Sequence, residues 1–266
     1  MLFSGFVQSK LTQGTRSGVF DNTEIFNIPK FTPEYERPQP DVVNAHRAEI
    51  EHFARHIHDD IVRKLLVLCA IVLELPEDAF LKHHRYDEKS DCHLRYMIYR
   101  QRSAEDNAKL GETWVKGHTD FGSMTLLFRQ PVAALQVRSE ADGKWKWVKP
   151  HPGSITVNLA DSLEFVTNGF LKSSVHRVVA PPPDQANQDR LGVLYFARPE
   201  DSMKLQPVQS ALLEKLGLAF KPGEASEYSA GDWVKARVKG GVTGGKARSE
   251  VKEEEILPGV KTKYSD

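Results

Sequence analysis

The sequence predicts a mainly β protein with helices packed against it, built as a sandwich or a barrel-like roll. Two observations carry this prediction. Short runs with strand character, separated by turn signals, recur between residues 93 and 200, and such spacing is typical of all-β sandwiches and barrels. Between residues 41 and 85, apolar residues instead recur at helical spacing. We find no internal repeat and predict one domain.

The N-terminal part is predicted to be irregular first and helical afterwards. Residues 1–40 are rich in Gly, Pro, Thr and Ser, and form an entry segment with one short strand near "TEIFNI". Asp41 is a suitable N-cap for a long helix that ends before Pro76. The apolar positions of that helix are Ile50, Phe53, Ala54, Ile57, Ile61, Leu65, Leu68 and Val72. "PEDAFLKHH" predicts a second, short helix.

The β core is predicted over residues 93–200. Its strand-like runs are "HLRYMIY", "MTLLF", "ALQVR", "KWKWV", "SITVNL", "LEFVT", "SVHRVVA" and "LGVLYFA". Asp142-Gly143 and Asn168-Gly169 predict hairpin turns. "PVQSALLEKLG" predicts a helix that stops at Gly217. Residues 221–266 are predicted to be a polar tail, in which residues 239–255 are the least inclined to pack.

The charge balance points to a small-molecule partner. The chain has 36 Lys and Arg and 36 Asp and Glu, so there is no basic excess for nucleic acid or an anionic membrane. No apolar run approaches the roughly 18 residues of a membrane span. Cys69 and Cys92 form neither a disulfide framework nor a metal-spaced pair. We therefore expect a cytoplasmic protein without nucleic acid or membrane partners.

One pair of polar residues suggests a metal site. His118 and Asp120 are two residues apart, and such residues project from the same face of a strand. His176, in a second strand-like run, is a candidate third ligand. Two histidines and one carboxylate leave one face of a metal open, which suits non-haem Fe(II) enzymes that bind O2 and an organic ligand together. A structural zinc site and a satisfied polar core are the alternatives.

An arginine near the third ligand could anchor an organic co-ligand. Arg190 begins the strand-like "RLGVLYFARP", 14 residues after His176. The planar guanidinium matches a carboxylate bidentately, so it suits the tail of a dicarboxylate. The alternative is a simple ion pair with Asp189 or Glu164.

The chain resembles the isopenicillin N synthase-like family of 2-oxoglutarate- and Fe(II)-dependent dioxygenases. The matching stretches are "GHTDFGSMTLLF", "LQVRSEADGKWKWVKPHPGSITVNLADSLEFVTNG", "KSSVHRVVAPP" and "RLGVLYFARP". The resemblance implies a double-stranded β-helix (jelly-roll, cupin-like) core. It also implies His118, Asp120 and His176 as iron ligands, Arg190 at the distal carboxylate of 2-oxoglutarate, and Tyr99 as a further contact of that co-substrate. A packed strand aromatic is the alternative for Tyr99.

Three features depart from the family pattern. Gly192 stands where the family has a serine two residues after the arginine, and Met97 stands where its motif has an asparagine. Gly192 would therefore border the co-substrate without a hydroxyl, unless it only permits close backbone approach. The family's N-terminal α/β segment is expected to be reduced to residues 1–40. A homodimer would cover this side of the domain.

The resemblance implies an oxidoreductase. Fe(II), 2-oxoglutarate and O2 would be its cofactor and co-substrates, with 2-oxoglutarate decarboxylated to succinate and CO2. The coupled reaction would be hydroxylation, desaturation or cyclisation of a small organic substrate, and the breadth of the family suggests a secondary metabolite. Two alternatives stay open: a related iron oxidase that does not use 2-oxoglutarate, and a shortened non-catalytic binding module.

Overall fold

Two six-stranded antiparallel sheets face each other. The computed structural model describes residues 7–8, 19–219, 227–243, 252–258 and 260–265. With strands numbered in chain order, the first sheet contains β1 (Val7–Gln8), β2 (Thr23–Pro29), β3 (His93–Tyr99), β10 (Arg190–Ala197), β5 (Met124–Phe128) and β8 (Ile155–Leu159), in that spatial order. The second contains β11 (Lys252–Leu257), β12 (Val260–Ser265), β4 (Thr113–His118), β9 (His176–Val179), β6 (Leu135–Arg138) and β7 (Trp145–Trp147).

This arrangement confirms the predicted mainly β fold with a jelly-roll core. Helices flank it, as the sequence predicts: α1 (Asp41–Ala45), α2 (Arg47–His56), α3 (Arg63–Val72), α4 (Ala104–Lys109), α5 (Asp161–Val166), α6 (Ala211–Lys215) and α7 (Ala230–Thr243). None of the described helices combines the length and the hydropathy that a membrane span requires.

The predicted long helix is present as an almost continuous rod. A π-helical segment, Ile57–Val62, joins α2 to α3. The prediction of a short helix over the whole of "PEDAFLKHH" is wrong. This stretch forms turns followed by the three-residue 3-10 helix Leu81–His83.

The main core lies between this rod and the outer face of the first sheet. Leu126 and Tyr195 from the sheet and Ile57 and Leu66 from the rod are all at most 1% exposed. Side chains alternate along a strand, so while Tyr195 of β10 faces the rod, its neighbour Phe196 faces the second sheet. The fold thus leaves the inner face of β10 available for a site.

The strand predicted at "LEFVT" is wrong, because Leu163–Val166 belong to α5 and Thr167 is its C-cap. Leu163 and Val166 are three residues apart and are both buried, a helical rather than an alternating pattern. Asn168 (φ 49°) and Gly169 (φ 81°) end this helix instead of forming the predicted hairpin. The predicted turn at Asp142-Gly143 does join two paired strands, β6 and β7.

The stretch predicted to be a polar tail contributes to the fold. Trp233 of α7 is 1% exposed. The strand β12 pairs with β4, with Tyr264 opposite His118. This packing was not predicted, because the local composition is polar and the apolar partners of Trp233 lie far away in sequence.

Candidate active site

Two histidines form a cross-strand pair in the middle of the second sheet, where β4 ends and β9 begins. His118 ends β4 and His176 begins β9, and the two are directly opposed in the antiparallel register. Their ring centroids are 4.4 Å apart. This pairing explains how residues far apart in sequence meet, as the sequence analysis expected.

Asp120 completes the group from the loop after β4. Its Oδ1 is 3.8 Å from His118 Nε2, and its Oδ2 is 3.8 Å from His176 Nε2. One potential ligand atom of each residue lies within 4.8 Å of the others. The predicted triad is therefore assembled, although Asp120 lies beyond the strand end and not on the same strand face as His118.

The first sheet holds the carboxylate of Asp120 in place. Its Oδ2 accepts hydrogen bonds from Thr125 Oγ1 (2.7 Å) and Asn158 Nδ2 (2.9 Å), and Thr125 lies opposite Asn158 in the β5–β8 register. Burial opposes ionisation of Asp120, but the positive charge that the two imidazoles carry when protonated, together with these hydrogen bonds, outweighs it and lowers the pKa of the carboxyl. Asp120 is therefore an anion at neutral pH.

Backbone carbonyls set the orientation of both imidazoles. His118 Nδ1 lies 2.9 Å from the carbonyl of Lys116, and His176 Nδ1 lies 3.0 Å from that of Ser174. Because a carbonyl only accepts, each Nδ1 carries the hydrogen and, in a neutral ring, each Nε2 presents a lone pair. Burial and then the neighbouring His176 lower the pKa of His118 to about 4, so this ring is neutral at pH 7.

These residues fit a divalent metal ion. A carboxylate and two imidazole nitrogens facing one point would repel one another unless a cation lies between them. Structural zinc sites have four protein ligands, and within the described part of the chain no further Cys, His, Asp or Glu joins this group. Three ligands favour an open metal site over a structural one, while the ligand roles themselves stay a prediction.

Arg190 is a buried cation on the first sheet. It is 3% exposed, and its Nε donates to the carbonyl of Val132 at 3.3 Å. Its guanidinium carbon lies 5.4 Å from the ring centroid of Tyr99, the residue opposite it on β3. Burial lowers the pKa of Arg190 to about 10, so the group stays charged.

The acidic partners considered for Arg190 are engaged elsewhere. Asp189 accepts from Arg100 Nη1 at 2.8 Å, and Glu164 accepts from the backbone of Ser173 at 3.0 Å. No acidic side chain among the residues the structure describes forms an ion pair with Arg190. A buried, uncompensated guanidinium is costly unless it binds an anion, which favours the predicted anchoring role.

Tyr99 is a packed aromatic that also borders the site. Its ring stacks on Trp114, with 5.8 Å between centroids and 24° between planes. Burial raises the pKa of the phenol, so Tyr99 keeps its proton. Both sequence interpretations of Tyr99 fit this position, and its contact with a co-substrate stays a prediction.

The space beside Gly192 is occupied by a residue that the sequence analysis did not identify. A Cβ at Gly192 would lie 2.5 Å from Gln130 Nε2 and 3.2 Å from Met97 Cγ. Gln130 is 4% exposed, and its Nε2 donates to the carbonyl of Leu191 at 2.9 Å. Gly192 therefore admits Gln130 to the place where the resembling family has a serine.

A cavity of about 670 Å³ between the sheets contains all of these groups. Helix α7 closes part of its wall, which sequence reasoning missed. Trp233 Nε1 donates to the carbonyl of Phe121 at 2.9 Å, and Arg237 Nη2 donates to that of Thr119 at 2.9 Å. These two bonds fix the backbone on either side of Asp120.

Comparison with known proteins points to one superfamily. A model described as the 2OG-Fe(II) oxygenase superfamily matches residues 88–199. A 2-oxoglutarate-dependent dioxygenase of Gibberella zeae is 33% identical over 87% of this chain and 64% of its own length. The 2-oxoglutarate-dependent dioxygenase iboH of Amanita muscaria is 32% identical over 59% of this chain and 77% of its own length.

A solved structure supports the same fold. A full-length Neurospora crassa protein, in complex with alpha-KG and thymine, superimposes with a TM-score of 0.72 at 24% identity, covering 85% of this chain and 67% of that one. The chain spans less than two thirds of the length of the Gibberella zeae relative. The similarity thus covers the β core and the site but not the whole of that protein.

Proposed function

Because the chain belongs to the 2OG-Fe(II) oxygenase superfamily, we propose that it is a non-haem Fe(II) oxygenase acting on a small organic molecule. It would decarboxylate 2-oxoglutarate to succinate and CO2 and couple this to hydroxylation, desaturation or cyclisation of that molecule, with O2 as the oxidant. The Neurospora crassa protein holds alpha-KG together with thymine, which supports a small organic substrate here. A secondary metabolite is our proposal for its class.

One observation carries this proposal: an open His-Asp-His group and a buried cation that pairs with no acidic side chain among the described residues share one cavity. His118, Asp120 and His176 would hold Fe(II). Arg190 would bind the distal carboxylate of 2-oxoglutarate through its planar fork, and Tyr99 would border the same carboxylate. The bound iron would supply redox chemistry with O2, which the protein's own side chains lack.

The remaining residues act by position and environment. Thr125 and Asn158 keep the Asp120 carboxylate in one orientation, because both donate to the same oxygen. The carbonyls of Lys116 and Ser174 place the hydrogen of each neutral imidazole on Nδ1, so that Nε2 presents a lone pair. The two sheets form the walls of the cavity and would place the substrate beside the ligand group.

An anaerobic titration with Fe(II) and 2-oxoglutarate tests the first half of the proposal. We expect a metal-to-ligand charge-transfer band in the wild type. His118→Ala should abolish this band because a ligand is lost, and Arg190→Met should require a much higher 2-oxoglutarate concentration to develop it. Absence of the band in the wild type would exclude 2-oxoglutarate as the co-substrate and leave the iron oxidase and the non-catalytic binding module as the alternatives.

Product analysis tests the second half. Aerobic incubation with a panel of small organic molecules should release succinate in step with O2 uptake, and the true substrate should accelerate both. O2 uptake without succinate would instead identify an iron oxidase that does not use 2-oxoglutarate.

We also propose that the protein is cytoplasmic and has no nucleic acid or membrane partner, because the positive and negative charges of the chain are balanced. A homodimer is a further proposal, which a measurement of the mass of the protein in solution tests.

A further inference from the structure

The cavity holds more positive charge than the proposed reaction uses. Four of its lining residues are arginines, whereas its only acidic lining residues are Asp21 and Asp120 among those the structure describes. Asp120 belongs to the ligand group. Asp21 accepts a hydrogen bond from the backbone of Thr23 at 3.1 Å. Two acids cannot neutralise the positive charge of four arginines, so most of these arginines need another negative partner.

Three of the four arginines have an assigned partner. Arg190 is assigned to the co-substrate. Arg198 forms an ion pair with Asp91. Arg237 Nη1 lies 3.5 Å from Asp161 Oδ2. Arg95 is the fourth, and no acidic side chain in the described parts of the chain pairs with it.

Arg95 is held in place through its Nε atom and through the face of its guanidinium group. Its Nε donates to Asn27 Oδ1 at 2.8 Å, and Asn27 is its neighbour in the β2–β3 register. Its guanidinium carbon lies 4.7 Å from the ring centroid of Phe196. No hydrogen bond from either terminal amino group is found within the described residues. Burial lowers the pKa of Arg95, which marks the partial loss of its hydration.

Arg95 is separated from Arg190 along the inner face of the first sheet. Tyr99, opposite Arg190, lies four residues after Arg95 on β3, roughly 13 Å along the strand. The two arginines therefore start from different positions on the sheet, which suits two ligands. On the β10 side, Leu194 is opposite Arg95, and with Phe196 it gives this region an apolar wall.

We propose that Arg95 binds a carboxylate of the primary substrate, so that the substrate is a small organic acid with an apolar body. This inference rests on the proposed function, since it takes Arg190 to be occupied by 2-oxoglutarate. The guanidinium would grip the carboxylate bidentately, with Asn27 orienting the fork and Phe196 contacting the apolar part. The acid group would fix which C–H bond faces the ligand group.

Matched probe pairs test the proposal by binding alone. Phenylacetate, cinnamate and octanoate are each titrated calorimetrically against their primary amides, anaerobically into the full chain with Fe(II) and saturating 2-oxoglutarate present, so that Arg190 is occupied. In the wild type we expect at least one acid to bind about tenfold or more tightly than its amide, as is typical for hydrogen bonds to a charged group. Arg95→Met should reduce this preference to less than about threefold, and Arg95→Lys should retain part of it.

Arg190→Met separates this proposal from the proposed function. The preference for acids should survive Arg190→Met, while the charge-transfer band with 2-oxoglutarate should depend on Arg190. A preference that survives Arg95→Met or follows Arg190, or the absence of any acid preference in the wild type, would overturn the proposal. An Arg95-dependent preference without a wild-type charge-transfer band would instead refute only the oxygenase function.

A second variant guards against misfolding of Arg95→Met. Asn27→Ala leaves the charge in place and removes only the group that orients it. We expect this variant to lower the acid preference by a smaller factor than Arg95→Met, and an unchanged preference would contradict the proposed geometry. Thermal unfolding of each variant checks that the fold is intact.

Discussion

Replacing Gly192 by serine should destabilise the protein, although it would restore the residue of the resembling family. The new Cβ would lie 2.5 Å from Gln130 Nε2, too close for any real contact, so Gln130 must move. The end of a glutamine is flexible, and the loss of its bond to the Leu191 carbonyl therefore sets the energy rather than a rigid clash. Leaving a buried amide or carbonyl unsatisfied costs about 1–3 kcal/mol, which is our expected loss of unfolding free energy.

A double-mutant cycle isolates this effect. In a Gln130→Ala background the space is empty, so Gly192→Ser should cost less than about 0.5 kcal/mol and the coupling energy should be about 1–3 kcal/mol. Urea unfolding followed by tryptophan fluorescence measures the four proteins, with an unchanged m-value as the check on two-state behaviour. Gln130→Ala alone is the control.

Equal destabilisation in both backgrounds would refute the reasoning. It would mean that Gln130 does not occupy the space that serine needs. If the coupling is found, the double variant carries a serine hydroxyl near Arg190. One added hydrogen bond of about 0.5–1.5 kcal/mol would then tighten 2-oxoglutarate binding by a factor of about 2 to 13.

Three further predictions concern the ligand group, helix α7 and pH. Thr125→Val removes one donor to Asp120 and should weaken Fe(II) affinity about 10–100-fold; an unchanged dissociation constant would deny Thr125 an orienting role. Trp233→Ala should lower the unfolding free energy by about 3–5 kcal/mol, and a loss below about 1 kcal/mol would show that α7 is not part of the cooperative fold. Burial lowers the pKa of His84 from 6.5 to about 4, so the unfolded chain binds the proton more readily, and stability should fall as the pH drops from 6.5 towards 4. The loss between pH 7 and 5 should be about 2 kcal/mol in urea titrations, and His84→Gln should flatten this dependence.

The strands that carry the site could be predicted because their signals are local. "HLRYMIY" corresponds to β3 residue for residue, since a bounded run with aromatic and β-branched residues favours a strand. His118 and His176 could be paired because a β roll brings distant strands together. Their direct opposition in the β4–β9 register depends on sheet geometry that no short stretch encodes.

The missed features depend on partners that are distant in sequence. Helix α7 looks polar, and only the loop around Phe121 explains why Trp233 is buried. Gln130 follows β5 without any motif, and its role follows from the missing side chain of Gly192. Arg95 stands out only when Arg198 and Arg237 have been paired with their acids and Arg190 has been assigned to the co-substrate. Such relations among buried charges belong to the assembled fold, so local patterns could not predict them.

The division of the site between the two sheets links metal binding to stability. The second sheet supplies both imidazoles, while Thr125 and Asn158 of the first sheet orient the carboxylate of Asp120. Unfolding separates these groups, so the unfolded chain lacks the assembled site. A metal that binds only the folded state stabilises it by RT ln(1 + [metal]/Kd), about 2.7 kcal/mol at a hundredfold excess over Kd. The repulsion among Asp120 and the two imidazole lone pairs is removed at the same time, so loss of the ion should loosen the contact between the sheets before it affects the outer core around Leu126.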